Sequence, residues 1–265
     1  MNFSIAQDLE LALSLADQVK ELSMSRYLSG SLVIETKPDM TPVTDADRAV
    51  EQLIREQLAL LRPDDLIVGE EFGGDYALAA GRRWIIDPID GTKNYMRGVP
   101  VWANLISLAV DDDIVVGVVA APALNRRWWA GVGLGAFTQD ADGSTRQIHV
   151  SAISKLADAS FSFSDSVGWD LHGDRGPQVL QELQDQTWRS RGYGDFLSHM
   201  FVAEGAVDIA AEPQLSPWDV AALVPIVTEA GGKLTGFDGR PALVSGSGLT
   251  TNGLLHDQVL AKFVG

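Results

Sequence analysis

The run Trp84-Ile85-Ile86-Asp87-Pro88-Ile89-Asp90-Gly91-Thr92-Lys93-Asn94 delivers two carboxylates and then a glycine turn straight out of an apolar segment. Asp87 and Asp90 offer hard oxygen ligands, and the turn that follows exposes backbone N–H groups able to hold a phosphoryl oxygen. Pro88 fixes φ between the two aspartates, so the pair is pre-positioned. This pattern suits Mg²⁺-assisted phosphate chemistry. Two more acidic segments can join it: Gly69-Glu70-Glu71, at the end of an apolar run, and Trp218-Asp219-Val220-Ala221-Ala222. Taken alone, the first reads as a solvated turn and the second as a helix N-terminus whose aspartate suits the dipole. Asp45 and Asp47, ahead of another helix, share the second ambiguity. Taken together, these groups supply enough oxygen for two or more Mg²⁺ ions, which need neither His nor Cys.

Composition removes the competing chemistries. Cysteine is absent, so disulfides, thiolate zinc sites, iron–sulfur clusters and cysteine nucleophiles are excluded. His149, His172, His199 and His256 are scattered without zinc-ligand spacing. Twenty basic against 36 acidic residues give a net charge of −16, a field that argues against nucleic acid or an anionic membrane as partner. The first 25 residues mix acidic, basic and apolar side chains as an amphipathic helix does, not as a signal peptide does. No run reaches the ~18 to 20 apolar residues of a membrane span, and a cytosolic protein is expected. Gly131-Val132-Gly133-Leu134-Gly135 follows a strand pattern and precedes no helix, so it reads as a hairpin or bulge and not a nucleotide loop. Ser164-Asp165-Ser166 and His172 lack the context of a nucleophile elbow.

The elements that must position the acidic groups follow from periodicity. Ile5, Leu9, Leu11, Leu13, Leu15, Val19 and Leu22 mark a first helix. After a loop through residues 37–42, Thr44 or Asp45 caps a second helix carrying Val50, Leu53, Ile54, Leu58 and Leu61, ended by Arg62-Pro63-Asp64. Strands are predicted at 66–69, 84–86, 102–110, 114–120, 127–134 and 147–150, and their short connections favour an antiparallel sheet. From about residue 151 the pattern turns to α/β, with strand-like runs at 159–164, 187–191 and 207–211 and helix-like runs at 178–183, 196–204 and 219–230. Gly231-Gly232 stops the last of these helices, before closing strands at 233–236 and 249–254 and a short C-terminal helix. The expected organisation is an N-terminal half, 1–150, carrying most metal ligands, and a C-terminal half, 151–265, packed as one structural unit without a flexible linker.

Over nearly its whole length the chain resembles the inositol monophosphatase-like branch of the Mg²⁺-dependent, lithium-sensitive phosphatases that include fructose-bisphosphatases. Gly69-Glu70-Glu71, Asp87-Pro88-Ile89-Asp90-Gly91-Thr92 and Trp218-Asp219-Val220-Ala221-Ala222 stand in that family's order, and Val43-Thr44-Asp45-Ala46-Asp47 looks like its upstream element. The resemblance implies an α/β (α+β) fold, a layered α/β/α/β/α sandwich, and a homodimer. It also implies two or three Mg²⁺ ions held by Glu70, Asp87, the Ile89 carbonyl, Asp90 and Asp219. Glu70 and Thr92, the latter hydrogen-bonded to Asp47, would orient the attacking water, and the Gly91 and Thr92 N–H groups would bind phosphate. On the alcohol side, Lys93, the 97–102 run, Arg191-Gly192-Tyr193-Gly194-Asp195-Phe196 and Glu212-Pro213 resemble the family's histidinol-phosphate phosphatases. The expected substrate is therefore the small phosphate monoester L-histidinol phosphate, with Asp195 and Glu212 receiving its amine and imidazole and Arg191 helping to organise the pocket. Asp195 can equally cap the helix starting near Phe196, and Arg191 can pair at the surface. Inositol 1-phosphate or another sugar phosphate remains an alternative substrate, and a non-catalytic Mg²⁺ or phosphometabolite sensor a remoter one.

Overall fold

Ser4 opens the first helix, α1 (Ile5–Arg26), with a reciprocal capping box to Gln7, satisfying two N–H groups that the helix itself leaves unpaired. Its buried face runs through Leu9, Ala12, Leu15, Ala16 and Val19, with Leu11 and Leu13 only half-buried at its flanks. The short β1 (Ile34–Thr36) and β2 (Pro42–Thr44) lead into α2 (Asp45–Leu61), which Thr44 caps. Both helices pack on one face of a seven-stranded sheet through Val50, Ile54, Leu58, Trp84, Ile106 and their neighbours. The computed structural model describes residues 3–30, 32–37, 42–74 and 81–264, so positions 38–41 of the predicted loop lie outside the described residues.

The large sheet consists of β3 (Leu66–Gly69), β4 (Arg82–Asp90), then β5 (Ala103–Val110), β6 (Asp113–Ala121), β7 (Arg126–Gly131), β8 (Gly135–Gln139) and β9 (Thr145–Gln147), neighbours in that order. All its pairings are antiparallel except β3 with β4. Between β4 and β5, five-residue α3 (Thr92–Met96) begins directly after Gly91. The remaining elements are β10 (Ser160–Ser162), α4 (Arg175–Gln186), β11 (Arg189–Arg191), α5 (Asp195–Ala203), β12 (Ile209–Glu212), α6 (Pro217–Ala221), α7 (Leu223–Glu229), β13 (Lys233–Thr235), α8 (Ala242–Ser245), β14 (Gly248–Thr251) and α9 (His256–Val264). The second sheet runs β11-β10-β12-β14-β13. Phe196, Met200, Leu223 and Ile226 of α5 and α7 share a core with Leu105, Val119 and Trp128 of the large sheet. Val179, Leu183 and Val259 of α4 and α9 pack with Phe161, Ile209 and Leu249 of the small one. The order of layers is helix, sheet, helix, sheet, helix.

Several boundaries differ from expectation for local reasons. The strand expected over 127–134 stops at Gly131, and the chain reverses through a hairpin into β8, a strand that the glycine-broken sequence did not announce. Pairing moves the strand expected at 147–150 back to 145–147, because Val150 N–H is taken by the Ala230 carbonyl. The helix expected over 219–230 is two, α6 and α7, meeting at Ala222. That junction presses on β6: a Cβ at Gly117 would overlap the Ala222 carbonyl. Gly117→Ala should therefore cost about 1–3 kcal/mol through overpacking, read as a lowered melting temperature. An unchanged melt would mean the junction yields freely. Among the described residues no helix is long and apolar enough to cross a membrane.

Candidate phosphate and metal site

Strand β4 is buried from Arg83 to Ile89 and reaches the site at its C-terminal end. In a regular strand, residues three apart point to opposite faces. Here Asp87 pairs with Leu105 and Asp90 with Ala103, so β4 spends one residue more than β5 over the same stretch. This is a bulge at Pro88, which has no N–H to give the ladder, and the Asn104 amide holds the Pro88 carbonyl. The extra residue brings both aspartates to one side. Asp219 arrives from α6, and carboxylate oxygens of Asp87, Asp90 and Asp219 lie within 4.8 Å of one another. Glu70, at the end of β3, lines the same cavity of about 1060 Å³.

Backbone N–H groups orient these carboxylates. Ile89 N–H donates to Asp87 Oδ1 at 2.9 Å, Phe196 N–H to Asp90 Oδ2 at 2.8 Å, and Ser216 N–H to Asp219 Oδ2 at 2.7 Å. Asp47 is held likewise by Thr44 N–H at 2.8 Å. Asp47 and Asp219 each close a capping box, so the capping role is present, and in both cases it fixes the carboxylate's orientation toward the site. Thr92 Oγ1 lies 3.0 Å from the Ile89 carbonyl and 3.4 Å from Asp47 Oδ1, so its one proton reaches the carbonyl more closely than the expected aspartate. Gly91 takes φ +81° at the start of α3, and a Cβ there would lie 2.9 Å from the Val101 carbonyl and 3.3 Å from Asp195 Oδ2. Only glycine fits that approach without strain.

Grouping so many carboxylates away from water raises their proton affinity. Burial, then repulsion from neighbouring acids, pushes Asp87 and Asp90 well above the usual aspartate range. Burial takes Asp219 up to about 7, against the Ser216 N–H bond, and Asp47 up to about 6, against its bonds from Thr44. Three oxygen-donor groups that repel one another, Asp87 buried and Asp90 and Asp219 half-buried, fit a hard divalent cation such as Mg²⁺, which offsets their charge. The sign of the linkage follows. Groups with raised folded-state values contribute stability present at acid pH and lost as pH rises through those values. EDTA-treated protein should thus melt at progressively lower temperature between about pH 4 and 7, and added Mg²⁺ should raise the melt most at the upper end. A Mg²⁺ effect of equal size at both ends would count against this cluster as the binding site.

The alcohol side of the cavity is lined by Lys93, Ser164, Asp195, Glu212 and Trp218, among others. Asp195 is the first residue of α5, follows the N-cap Gly194 and adopts φ +48°. Its Oδ2 accepts from Asn94 Nδ2 at 2.8 Å and its N–H donates to Ser164 Oγ at 2.7 Å. Ser164 in turn donates to Glu212 Oε1 at 2.7 Å. Burial pushes Glu212 up to about 8 and Asp195 up to about 6, the latter opposed by Lys93. Arg191 is not brought here: it is exposed, donates to the neighbouring Ser190 carbonyl, and does not line the cavity. Its strand β11 is the edge of the small sheet, which leaves the long side chain in solvent.

Sequence reasoning missed four supports. Lys37 Nζ pairs with Glu70 Oε1 at 2.7 Å and also with Glu71. Buried Glu51 on α2 accepts from Arg55 and from the Glu71 and Phe72 N–H groups, pinning the turn that carries Glu70. Asn94 and Ser164 complete the list. None belongs to an acidic cluster, so no local pattern marked them; the Asn94 amide alone, beside the turn, hinted at a backbone bond.

The model of the inositol monophosphatase family matches residues 5–264. The chain is 55% identical to the histidinol-phosphatase of Mycobacterium tuberculosis, over 96% of this chain and 97% of that one. It is 52% identical to the histidinol-phosphatase of Streptomyces coelicolor, over 96% and 95%. Among solved structures, the IMPase of Thermotoga maritima superposes with a TM-score of 0.84 at 31% identity, covering 97% of both chains. The bulged strand end, the converging carboxylates and these matches over almost the full length agree, and the chain belongs to the inositol monophosphatase family.

Proposed function

We propose that the chain is a Mg²⁺-dependent phosphomonoesterase that hydrolyses L-histidinol phosphate to L-histidinol and phosphate. The observation that carries the substrate assignment is the pair Asp195 and Glu212, joined through Ser164 and lining the cavity of the three-aspartate cluster. A substrate with two nitrogen bases matches two carboxylates, Glu212 buried and Asp195 half-buried, and a cationic partner favours their ionised forms against the desolvation that raises them. The names of the Mycobacterium tuberculosis and Streptomyces coelicolor relatives support the same substrate.

Asp87, Asp90 and Asp219, with Glu70 and the Ile89 carbonyl, would hold Mg²⁺. When bound, the ions would supply Lewis-acid activation of water and neutralise charge on the phosphoryl and departing oxygens. The chain's own groups do the placing. Gly91 and Thr92 N–H groups hold phosphoryl oxygens, and Glu70 with the Thr92 hydroxyl orients a water in line with the scissile P–O bond. Water oxygen bonds to phosphorus as the bond to the alcohol oxygen breaks; the water gives up one proton and the departing oxygen takes one up, so ester and water become alcohol and phosphate. Asp195 and Glu212 fix the alcohol so that its oxygen leaves opposite the water.

Inositol 1-phosphate is the second reading, and Glu212 favours it: a carboxyl pushed up to about 8 is protonated at neutral pH and can bond a hydroxyl. Phosphate release from a panel of monoesters decides. On the histidinol reading kcat/KM for histidinol phosphate exceeds that for inositol 1-phosphate by at least about tenfold, a difference of 1.4 kcal/mol. The reverse ratio would transfer the assignment, and no release from any monoester with Mg²⁺ would favour a sensor. The same reading includes a cytosolic homodimer, for which light scattering should return the mass of two chains.

A further inference from the structure

Asn94 stands between the phosphate turn and Asp195, and both donors of its side-chain amide are used. One bond from Nδ2 goes to the Val101 carbonyl at 2.9 Å and one to Asp195 Oδ2 at 2.8 Å. Its own carbonyl accepts from Arg97 and Val99 N–H groups, so the loop beyond α3 clamps the residue from behind. Asp195 sits in the left-handed region at φ +48°, where only a few residue types rest without cost. Ser164 holds its N–H, Asp90 holds the next N–H, and Asn94 holds one side-chain oxygen. Among the described residues no group is bonded to the other oxygen, Oδ1.

We propose that Asn94 is a positioning residue for substrate choice: by holding Asp195 Oδ2 it aims Oδ1 at a cationic group on the substrate's alcohol. The inference rests on the phosphatase reading above and adds to it the residue through which selectivity is set. Asn94 lines the cavity, but both of its side-chain donors are taken by protein oxygens. It acts through the orientation of a carboxylate 101 residues away in sequence, and its loss should change recognition of a cationic alcohol more than the chemical step.

The test compares kcat and KM on L-histidinol phosphate and on inositol 1-phosphate, with Mg²⁺ saturating, for wild type, Asn94→Leu, Asp195→Asn and the double variant. Asn94→Leu keeps the branched skeleton and removes both donors. KM for histidinol phosphate should rise about tenfold, as expected for losing a bond to a charged group, with the ratio of kcat/KM between the two substrates falling equally. In the Asp195→Asn background the same substitution should leave that ratio where it is. If Asn94→Leu does not fold, Asn94→Asp, which sets a second acceptor against Asp195, should lower the ratio in the same direction. Equal loss on both substrates, or a further fall of the ratio in the double variant, would overturn the inference. Failure of the substrate reading is separate: it appears in wild type as a preference for inositol 1-phosphate, before any variant is made.

Discussion

Asp90→Asn should abolish most Mg²⁺-dependent phosphate release while making the metal-free protein more heat-stable. The activity loss is expected on the order of 100- to 1000-fold, the range for removing one preorganised group that stabilises developing charge. The amide cannot replace the carboxylate as a charged ligand, so the Mg²⁺ concentration for half-activity should also rise. Stability moves the other way because Asp90 is desolvated and faces repulsion from Asp195 and Asp219. The asparagine oxygen can still accept the Phe196 N–H bond now at 2.8 Å, and its NH₂ becomes a donor beside those carboxylates. Melting of EDTA-treated samples at pH 7.5 reads this directly. Near-normal turnover would sink the mechanism, and a lower metal-free melt would mean that Asp90 is chiefly a structural cap for α5. The opposed signs distinguish a functional acid cluster, assembled at the expense of stability, from a network retained for folding.

How far this site could be read from the sequence depended on how local each contribution was. Asp87 and Asp90 share one strand end with Gly91, and types and spacing alone indicated their chemistry. The bulge that turns both carboxylates to one side was implicit in Pro88, although its register appears only against β5. Glu70 and Asp219 were ambiguous singly, because a carboxylate that caps a helix and one that binds a cation look alike in sequence. Asp219 closes the α6 capping box and also joins the three-aspartate cluster, whereas Asp47 closes the α2 box and lies outside that cluster. Glu51 and Ser164 left no trace and Asn94 only the hint of a backbone bond, since each works through a partner that folding alone brings near: Glu51 through the turn at Glu71, Asn94 through Asp195, Ser164 through Glu212. Arg191 went astray for the converse reason. It neighbours Asp195 in sequence, but it ends the edge strand β11 with its side chain in solvent, and only from Gly192 onward does the chain line the cavity. The elements of the fold were legible from periodicity, and its layers from the resemblance. The α6–α7 break was overlooked although Pro225 marks it, since a proline there has no N–H to return to the Ala221 carbonyl.

Asp195→Asn should reverse or erase a preference for a cationic alcohol without dismantling the site. Alanine would be the poorer choice, since at φ +48° asparagine and aspartate are tolerated and alanine is strained. Asparagine also keeps an oxygen for the Asn94 amide and leaves the backbone bonds to Ser164 and Asp90 untouched. What it removes is the charge. Truncating one partner of a desolvated charge pair typically costs 2–5 kcal/mol, so kcat/KM on L-histidinol phosphate should fall on the order of 100-fold. Inositol 1-phosphate carries no cation for Asp195 to bind, and its kcat/KM should fall far less or rise, because one negative charge beside a phosphate turn has gone. Lys93 sharpens the expectation, since its attraction currently helps keep Asp195 ionised and would become available to phosphate. Equal losses on both substrates would assign Asp195 to the architecture of α5, and selectivity would then have to reside in Glu212 alone.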